Sequence, residues 1–509
     1  MDIVMIQLSS LGISICKHIY RIYGTITMNN LALVFDKGSS DKNFNFGQFK
    51  PIVYDFIVSS GIQCFIITSI VCYLMYKNFP LEVKFIELRP IFRFHLKMQY
   101  IKYIYVLTFL FMAFSIYKPT EISESNFMEL NYVNPKDLVT FPGEKRNIIF
   151  LSLESIESTF ASKQSGGLFE ESLIPNLERL TKDKENIHFT HKKGIIGGPK
   201  QMVRLSYTSG ASYSMLCGDY LGTPGYMSSE YNERLYHPQI TCLSDITKKF
   251  GYNNYAIYGT QWSSCRQGYL YTSHSIPIEN IVDSWEINRS YGWISDFLMF
   301  DKAKQKILEI SKEKKPFMVI MMTMDTHMPG FRCHLCNETQ DKQYDSISCS
   351  DRQVFDFINW LKKQDFYENT TLILHGDHQL LHVKTKYLAE SKKFDRRIYN
   401  LIINSKLKPK NGNVREYTLF DLFPTVLALA GAKIKGEKLG LGTNLFSNAT
   451  NLYDKYKFKY LDKETMMENE WFHREVLHEP LQNHINFDFS IKFLEEPSKM
   501  NPNGDVMYF

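Results

Sequence analysis

Residues 147–155 read NIIFLSLES. The run is too short for an ordinary helix and lacks the polar alternation of a half-exposed strand, so it fits a strand buried on both faces. It ends abruptly in a carboxylate, Glu154. Working outward, similar apolar runs recur at 255–258 (YAIY), 317–324 (FMVIMMTM), 370–374 (TTLIL) and 399–403 (YNLII). Helical patterns lie between them at 175–182, where Pro175 suits a first helical position, and at 243–250, 300–312 and 352–364. This alternation predicts an α/β fold, a mainly parallel sheet sandwiched by helices. Such sheets bind ligands at the carboxyl ends of their strands, so chemistry is sought just after each run.

The net charge of +5 on 509 residues, with both signs plentiful, gives no reason to expect a nucleic-acid partner. Apolar residues concentrate before residue 118. The stretch 56–76 is uncharged and long enough to span a bilayer, and 103–117 is shorter but flanked by Tyr103 and Tyr117. A buried soluble helix remains the other reading of the second stretch. Between them Lys77, Lys84, Arg89, Arg93, Lys97 and Lys102 outnumber Glu82 and Glu87, which predicts a cytoplasmic loop and an external chain beyond Tyr117. The first 16 residues are apolar and fit a third span, a remnant of one, or an interfacial helix. The organisation expected is a membrane-anchoring region 1–117, a linker along the membrane surface 118–146, a catalytic domain 147–452 and a C-terminal extension 453–509.

Cys16, Cys64 and Cys72 fall in the apolar part, while Cys217, Cys242, Cys265, Cys333, Cys336 and Cys349 fall in the part expected outside. Six cysteines in an exported domain predict disulfides, with the pairing left open. Cys333-His-Leu-Cys336 also has the spacing of half a zinc site, although no second CxxC accompanies it.

Three strand ends carry acids or imidazoles: Glu154, then Asp325-Thr326-His327-Met328-Pro329, then His375-Gly376-Asp377-His378. Each alone reads equally as a helix cap or a solvated residue. Together, hard oxygens and an imidazole suit Mn²⁺, Mg²⁺ or Zn²⁺. A nucleophile is supplied by 204–218, RLSYTSGASYSMLCG, where Thr208 could sit at a helix N-terminus; an ordinary capping segment is the plainer reading.

On NIIFLSLES, YTSGASYSMLCG, the order MDTHMP then HGDH, and FDLFPTVLALAG followed by LGLGTNL, residues 147 to about 445 resemble the sulfatase-like transferases of the alkaline phosphatase superfamily. Within them they resemble the membrane-anchored phosphoglycerol transferases of the lipoteichoic acid synthase and periplasmic glucan-modifying type. Tyr207 before the threonine and Cys217-Gly218 after it resemble the glucan-modifying branch most. The resemblance implies that Glu154, Thr208, Asp377 and His378 are metal ligands, with Thr208 also the nucleophile and His327 beside the transferred phosphoryl group. It points more loosely to Gln261, Arg266 and Arg332 as headgroup contacts. It implies one divalent ion, Mn²⁺ first and Zn²⁺ or Mg²⁺ otherwise. The activity implied is transfer of phosphoglycerol from phosphatidylglycerol to a periplasmic or surface glycan through a covalent threonine intermediate. The site would lie on the outer side of a bacterial inner membrane. The rival donor is phosphatidylethanolamine, serving lipid A or another glycan, and a non-catalytic glycan-binding protein is the rival class. A formylglycine sulfatase is set aside because no C/S-x-P-x-R motif occurs. The apolar N-terminal region is short for a multi-span anchor.

Overall fold

The structure, a computed structural model, describes residues 125–220 and 237–467, apart from 263, 290–291 and 340, with scattered residues elsewhere (13, 103, 106–108, 110, 469, 471, 474–475, 499–500 and 506–507). The spans expected at 56–76 and over most of 103–117, the basic loop between them, and Cys16, Cys64 and Cys72 lie outside the described residues. Among those described, no helix is long and apolar enough to cross a membrane.

Asn147–Leu153 forms strand β1, buried throughout. Its side chains part company residue by residue. Ile148 and Phe150 enter one apolar cluster, whereas Ile149, Leu151 and Leu153 enter another on the opposite face. Two cores served by one strand explain why the sequence shows no alternation there. Strands β2 (Asn253–Tyr258), β3 (Ile281–Val282), β4 (Phe317–Met322), β5 (Thr370–Gly376) and β6 (Asn400–Ile403) complete the sheet in the order β3-β2-β4-β1-β5-β6. Every pairing is parallel except β5 with β6, which is antiparallel. The sheet is therefore mainly parallel as expected, with a reversed strand at one edge.

The helices that matter to the site are α1 (Pro175–Lys182), α2 (Thr208–Cys217), α3 (Leu243–Lys249), α4 (Asp296–Ile310), α5 (Lys342–Leu361) and α6 (Leu422–Leu429). Leu216, Leu243 and Phe423 of α2, α3 and α6 share the first cluster, and Leu177, Ile307 and Phe357 of α1, α4 and α5 share the second. Each such buried side chain contributes roughly 1.5–3 kcal/mol before entropy is charged against it. Helix α5 begins well before the expected residue 352. Its first half, KQYDSISCS, looks polar, yet Gln343, Asp345, Ser346 and Cys349 are buried and partnered rather than solvated, and Ser350 is buried as well.

Residues 125–146, the described part of the expected linker 118–146, are pinned to the domain at several points. Phe127 and Met128 are buried on the short helix Phe127–Asn131, and Val139–Thr140 pairs antiparallel with Lys433–Ile434. The start of the C-terminal extension is folded as well: Leu461, on the helix Phe458–Met466, is fully buried, and Asp462 accepts the Val203 N–H at 2.7 Å.

Two disulfides form, Cys217–Cys242 between α2 and the start of α3, and Cys336–Cys349 between a loop and α5. Cys265 and Cys333 stand outside both bridges, which corrects the expectation that all six exported cysteines would pair. The CxxC pair does not close on itself, because Cys336 is bonded to Cys349 on α5 instead.

Candidate active site

The carboxyl ends of β1 and β5 lie side by side, since Leu153 is in register with Gly376. Glu154 therefore meets Asp377 and His378. Two loops could not come this close with a side chain at 376, where a Cβ would sit 2.1 Å from the Ile156 carbonyl oxygen. Helix α2 enters from the side with Thr208 as its first residue. The Thr208 hydroxyl lies 3.3 Å from Glu154 Oε2 and 3.3 Å from His378 Nε2. His378 Nε2 is 3.5 Å from Glu154 Oε1 and 3.4 Å from Asp377 Oδ2. The four residues proposed from the sequence thus converge, and all four are buried.

Their backbone is held by groups that the sequence reading did not single out. Ser155, in the left-handed region at φ 55°, donates its hydroxyl to Glu154 Oε1 at 2.6 Å and its N–H to Asp377 Oδ1 at 2.8 Å. Thr323, just past β4, accepts the Glu154 N–H at 3.0 Å, and the Thr326 hydroxyl donates to the Glu154 carbonyl. Only its place directly after Glu154 could have flagged Ser155. Thr323 and Thr326 give no signal without the register of β4 against β1.

The charges in this cluster are poorly balanced. Burial, and then the Glu154 charge, push the Asp377 carboxyl up to about 7. Burial opposes protonation of His378, but Asp377 and Glu154 outweigh it and hold the imidazolium above its ordinary value. Asp377 Oδ2 is buried with no hydrogen-bond donor. Two acids that repel, an orphaned carboxylate oxygen and an imidazole whose Nε2 faces them describe a site short of positive charge. Ligand atoms of Glu154, Asp377 and His378 lie within 4.8 Å of one another, and this O, O, N set fits a divalent cation.

His327 follows β4. Its Nδ1 lies 2.9 Å from the Met328 carbonyl, which can only accept, so Nδ1 carries the proton and Nε2 keeps the lone pair. Burial, and then His378, lower this imidazole to about 4. Its ring stands edge-on to Trp293 at 4.7 Å, and Trp293 meets Phe331 at the same separation. The neighbouring Asp296 and Asp325 cap each other's backbone, with Met324 N–H on Asp296 Oδ1 at 2.7 Å and Asp296 N–H on Asp325 Oδ2 at 3.1 Å. Burial holds Asp296 well above the carboxylate range and Asp325 at about 6.

The residues offered as headgroup contacts lie on two loops. Arg332 pairs with Asp345 at 3.2 Å. Gln261 and Arg266 lie on the segment after β2, where the Gln261 carbonyl accepts the Ser264 N–H and Arg266 precedes the helix Gln267–Ser273 at φ 55°. On that segment buried Gln267 donates to Ser212 Oγ of α2 at 3.1 Å. His375, first of the HGDH tetrad, is held in the sheet by the Gly376 carbonyl and the Tyr417 hydroxyl.

A sulfatase family model matches residues 146–432. Curated relatives include the phosphoglycerol transferase I proteins of Shigella flexneri and of Escherichia coli (strain 55989 / EAEC), each 26% identical over 324 residues, or 60% of this chain. The chain spans about 40% of the length of these relatives. Solved structures of similar shape include the lipoteichoic acid synthase LtaP from Listeria monocytogenes, 18% identical at a TM-score of 0.46, covering 63% of this chain and 80% of that one. Another is the integral membrane protein lipooligosaccharide phosphoethanolamine transferase A (EptA) from Neisseria meningitidis, 14% identical at a TM-score of 0.46, covering 83% of each chain.

Proposed function

From the premise that the chain belongs to the sulfatase family, we propose that it is a membrane-anchored transferase moving phosphoglycerol from phosphatidylglycerol to a periplasmic or surface glycan. The observation that carries this reading is the Thr208 hydroxyl at a helix N-terminus, 3.3 Å from both Glu154 and His378. The relatives' phosphoglycerol transfer supports the choice of group, and the missing formylglycine motif argues against sulfate-ester hydrolysis.

Glu154, Asp377 and His378, with Thr208 as fourth donor, would hold the divalent ion. When bound, that ion supplies the positive charge that offsets the phosphoryl oxygens and the two buried acids. Mn²⁺ is the first choice, with Zn²⁺ or Mg²⁺ as alternatives. The Thr208 oxygen attacks the donor phosphorus, the bond from phosphorus to the diacylglycerol oxygen breaks, the Thr208 proton ends on that departing oxygen, and phosphoglycerol stays on the threonine. The first-turn N–H groups of α2 favour the anionic phosphoryl group. An acceptor hydroxyl then displaces Thr208, and the His327 Nε2 lone pair is suited to take its proton. Because the donor is a lipid, the anchoring region 1–117 would keep the external domain near the bilayer surface.

The test is incubation of purified protein with labelled phosphatidylglycerol or phosphatidylethanolamine, followed by mass analysis of the Thr208 peptide. A phosphoglycerol adduct supports the reading, a phosphoethanolamine adduct replaces the donor, and an unmodified peptide with either lipid rejects the mechanism.

A further inference from the structure

Beneath the His327 loop lies a second group of reactive atoms, the sulfurs of Cys333, Cys336 and Cys349. Cys333 is partly exposed, and its Sγ lies 3.7 Å from the bonded sulfur of Cys336, while its N–H donates to that sulfur at 3.3 Å. Cys349, at the other end of the bridge, is fully buried. One amide serves both outer sulfurs. Gln353 Nε2 is 3.5 Å from Cys349 Sγ and 4.0 Å from Cys333 Sγ, while Gln353 Oε1 is buried with no hydrogen bond.

We infer that these three cysteines form an internal thiol–disulfide exchange site, in which the bridge moves between Cys336–Cys349 and Cys333–Cys336. The Cys333 thiolate attacks Cys336 Sγ, the Cys336–Cys349 bond breaks, and Cys349 leaves as a thiolate that takes up the proton Cys333 gave away. One S–S bond forms and one is lost, so no external oxidant or reductant is required. The Gln353 N–H favours whichever outer sulfur carries charge, and its free carbonyl oxygen can accept the S–H of the neutral form. Burial holds the Cys333 thiol above its ordinary value, which keeps the exchange slow at neutral pH.

The two pairings differ in what they tie down. Cys336–Cys349 staples the loop after Phe331 to α5, whereas Cys333–Cys336 closes within the loop and releases it. Phe331 packs on Trp293, and Trp293 on His327. The bridge position is thus passed to the His327 loop through these rings.

The test uses the full chain, oxidised and without reductant, held at pH 8, then quenched in acid, unfolded and thiol-labelled for peptide mapping over minutes to hours. The expected result is label on both Cys333 and Cys349, with both linked peptides present and their ratio reaching a plateau. Gln353→Ala should slow the approach to that plateau about tenfold, equivalent to about 1.4 kcal/mol in the barrier. Label confined to Cys333 throughout overturns the inference. Because Cys349→Ser removes the staple and could disturb folding, it serves only as a second arm. In a glutathione redox buffer it should yield the Cys333–Cys336 bridge, and glutathione adducts or persisting thiols at both positions would count against exchange. Stoichiometric zinc lost on Cys333→Ser would make the cluster a metal site and likewise reject it.

Discussion

Glu154 and Glu157 sit three residues apart on the same loop, and neither is exposed to solvent. Glu157 is fully answered. It receives Arg396 through two guanidinium nitrogens, the Thr159 hydroxyl at 2.7 Å and the Leu380 N–H at 2.9 Å. Glu154 faces a second carboxylate, two hydroxyls and a histidine, and among the described residues no arginine or lysine is bonded to it. Burial alone does not distinguish a structural acid from a functional one. What distinguishes them is whether the protein itself supplies the opposite charge, and around Glu154 that charge is left for a cation to bring.

The strongest attempt to break this contrast is Thr208→Ala. It should reduce transfer by roughly 10⁴-fold or more with folding barely changed, because it removes the proposed nucleophile and not the acids. Thr208→Ser should keep some activity. Transfer by the alanine variant at near wild-type rate would refute the nucleophile assignment. Next, Glu154→Gln, Asp377→Asn and His378→Ala should each lower divalent-metal affinity about 10–100-fold by calorimetry, while Glu157→Gln should leave it unchanged. His327→Ala should lower the rate by roughly 10²–10³-fold with metal retained, and loss of metal there would move His327 into the ligand set.

On stability the order reverses. Glu157→Gln leaves Arg396 buried beside a neutral partner and should cost about 3–5 kcal/mol in denaturant unfolding. In metal-free protein Glu154→Gln should be neutral or stabilising, since it relieves repulsion with Asp377.

A further effect concerns pH and two buried histidines, His375 and His188. Burial lowers His375 to about 4, and His188, bonded to the Asn400 carbonyl and the Gly197 N–H, likewise to about 4. The unfolded chain binds more protons than the folded one between that value and about 6.5, so their contribution is present above 6.5 and lost as pH falls toward 4. The expected loss is up to about 3 kcal/mol per histidine, with metal present or absent. Because the raised acids Asp219, Asp377, Asp325 and Asp421 shift stability the opposite way, the measurement compares the pH 7 to pH 5 change of the wild type with that of His188→Gln and His375→Gln; an identical change in all three would show that these imidazoles are not buried neutral.

The β1 and α1 segments were readable from sequence because each carries its signal locally: an apolar run bounded by Glu154, and a proline at a helix start. The convergence of Glu154, Thr208, Asp377 and His378 followed from strand ends and the family resemblance together. What stayed hidden depends on register or on buried polar partners. Two-residue β3 has too little pattern to detect, the reversed direction of β6 leaves no mark in YNLII, and the front of α5 buries polar side chains that look solvated in a sequence. Ser155 could not be weighed before its two hydrogen bonds were visible.

Gly376 sets a gauge. With hydrogen in place of a side chain, the loop bearing Asp377 closes to van der Waals distance on the Ile156 carbonyl, and the spacing of the two acids is fixed by backbone rather than by rotamers. A single added methyl at this position would reset the aperture between the acids, and with it the size of ion the pocket can close upon. Variation in the four converging side chains changes which atoms bind; variation at 376 would change how far apart they stand.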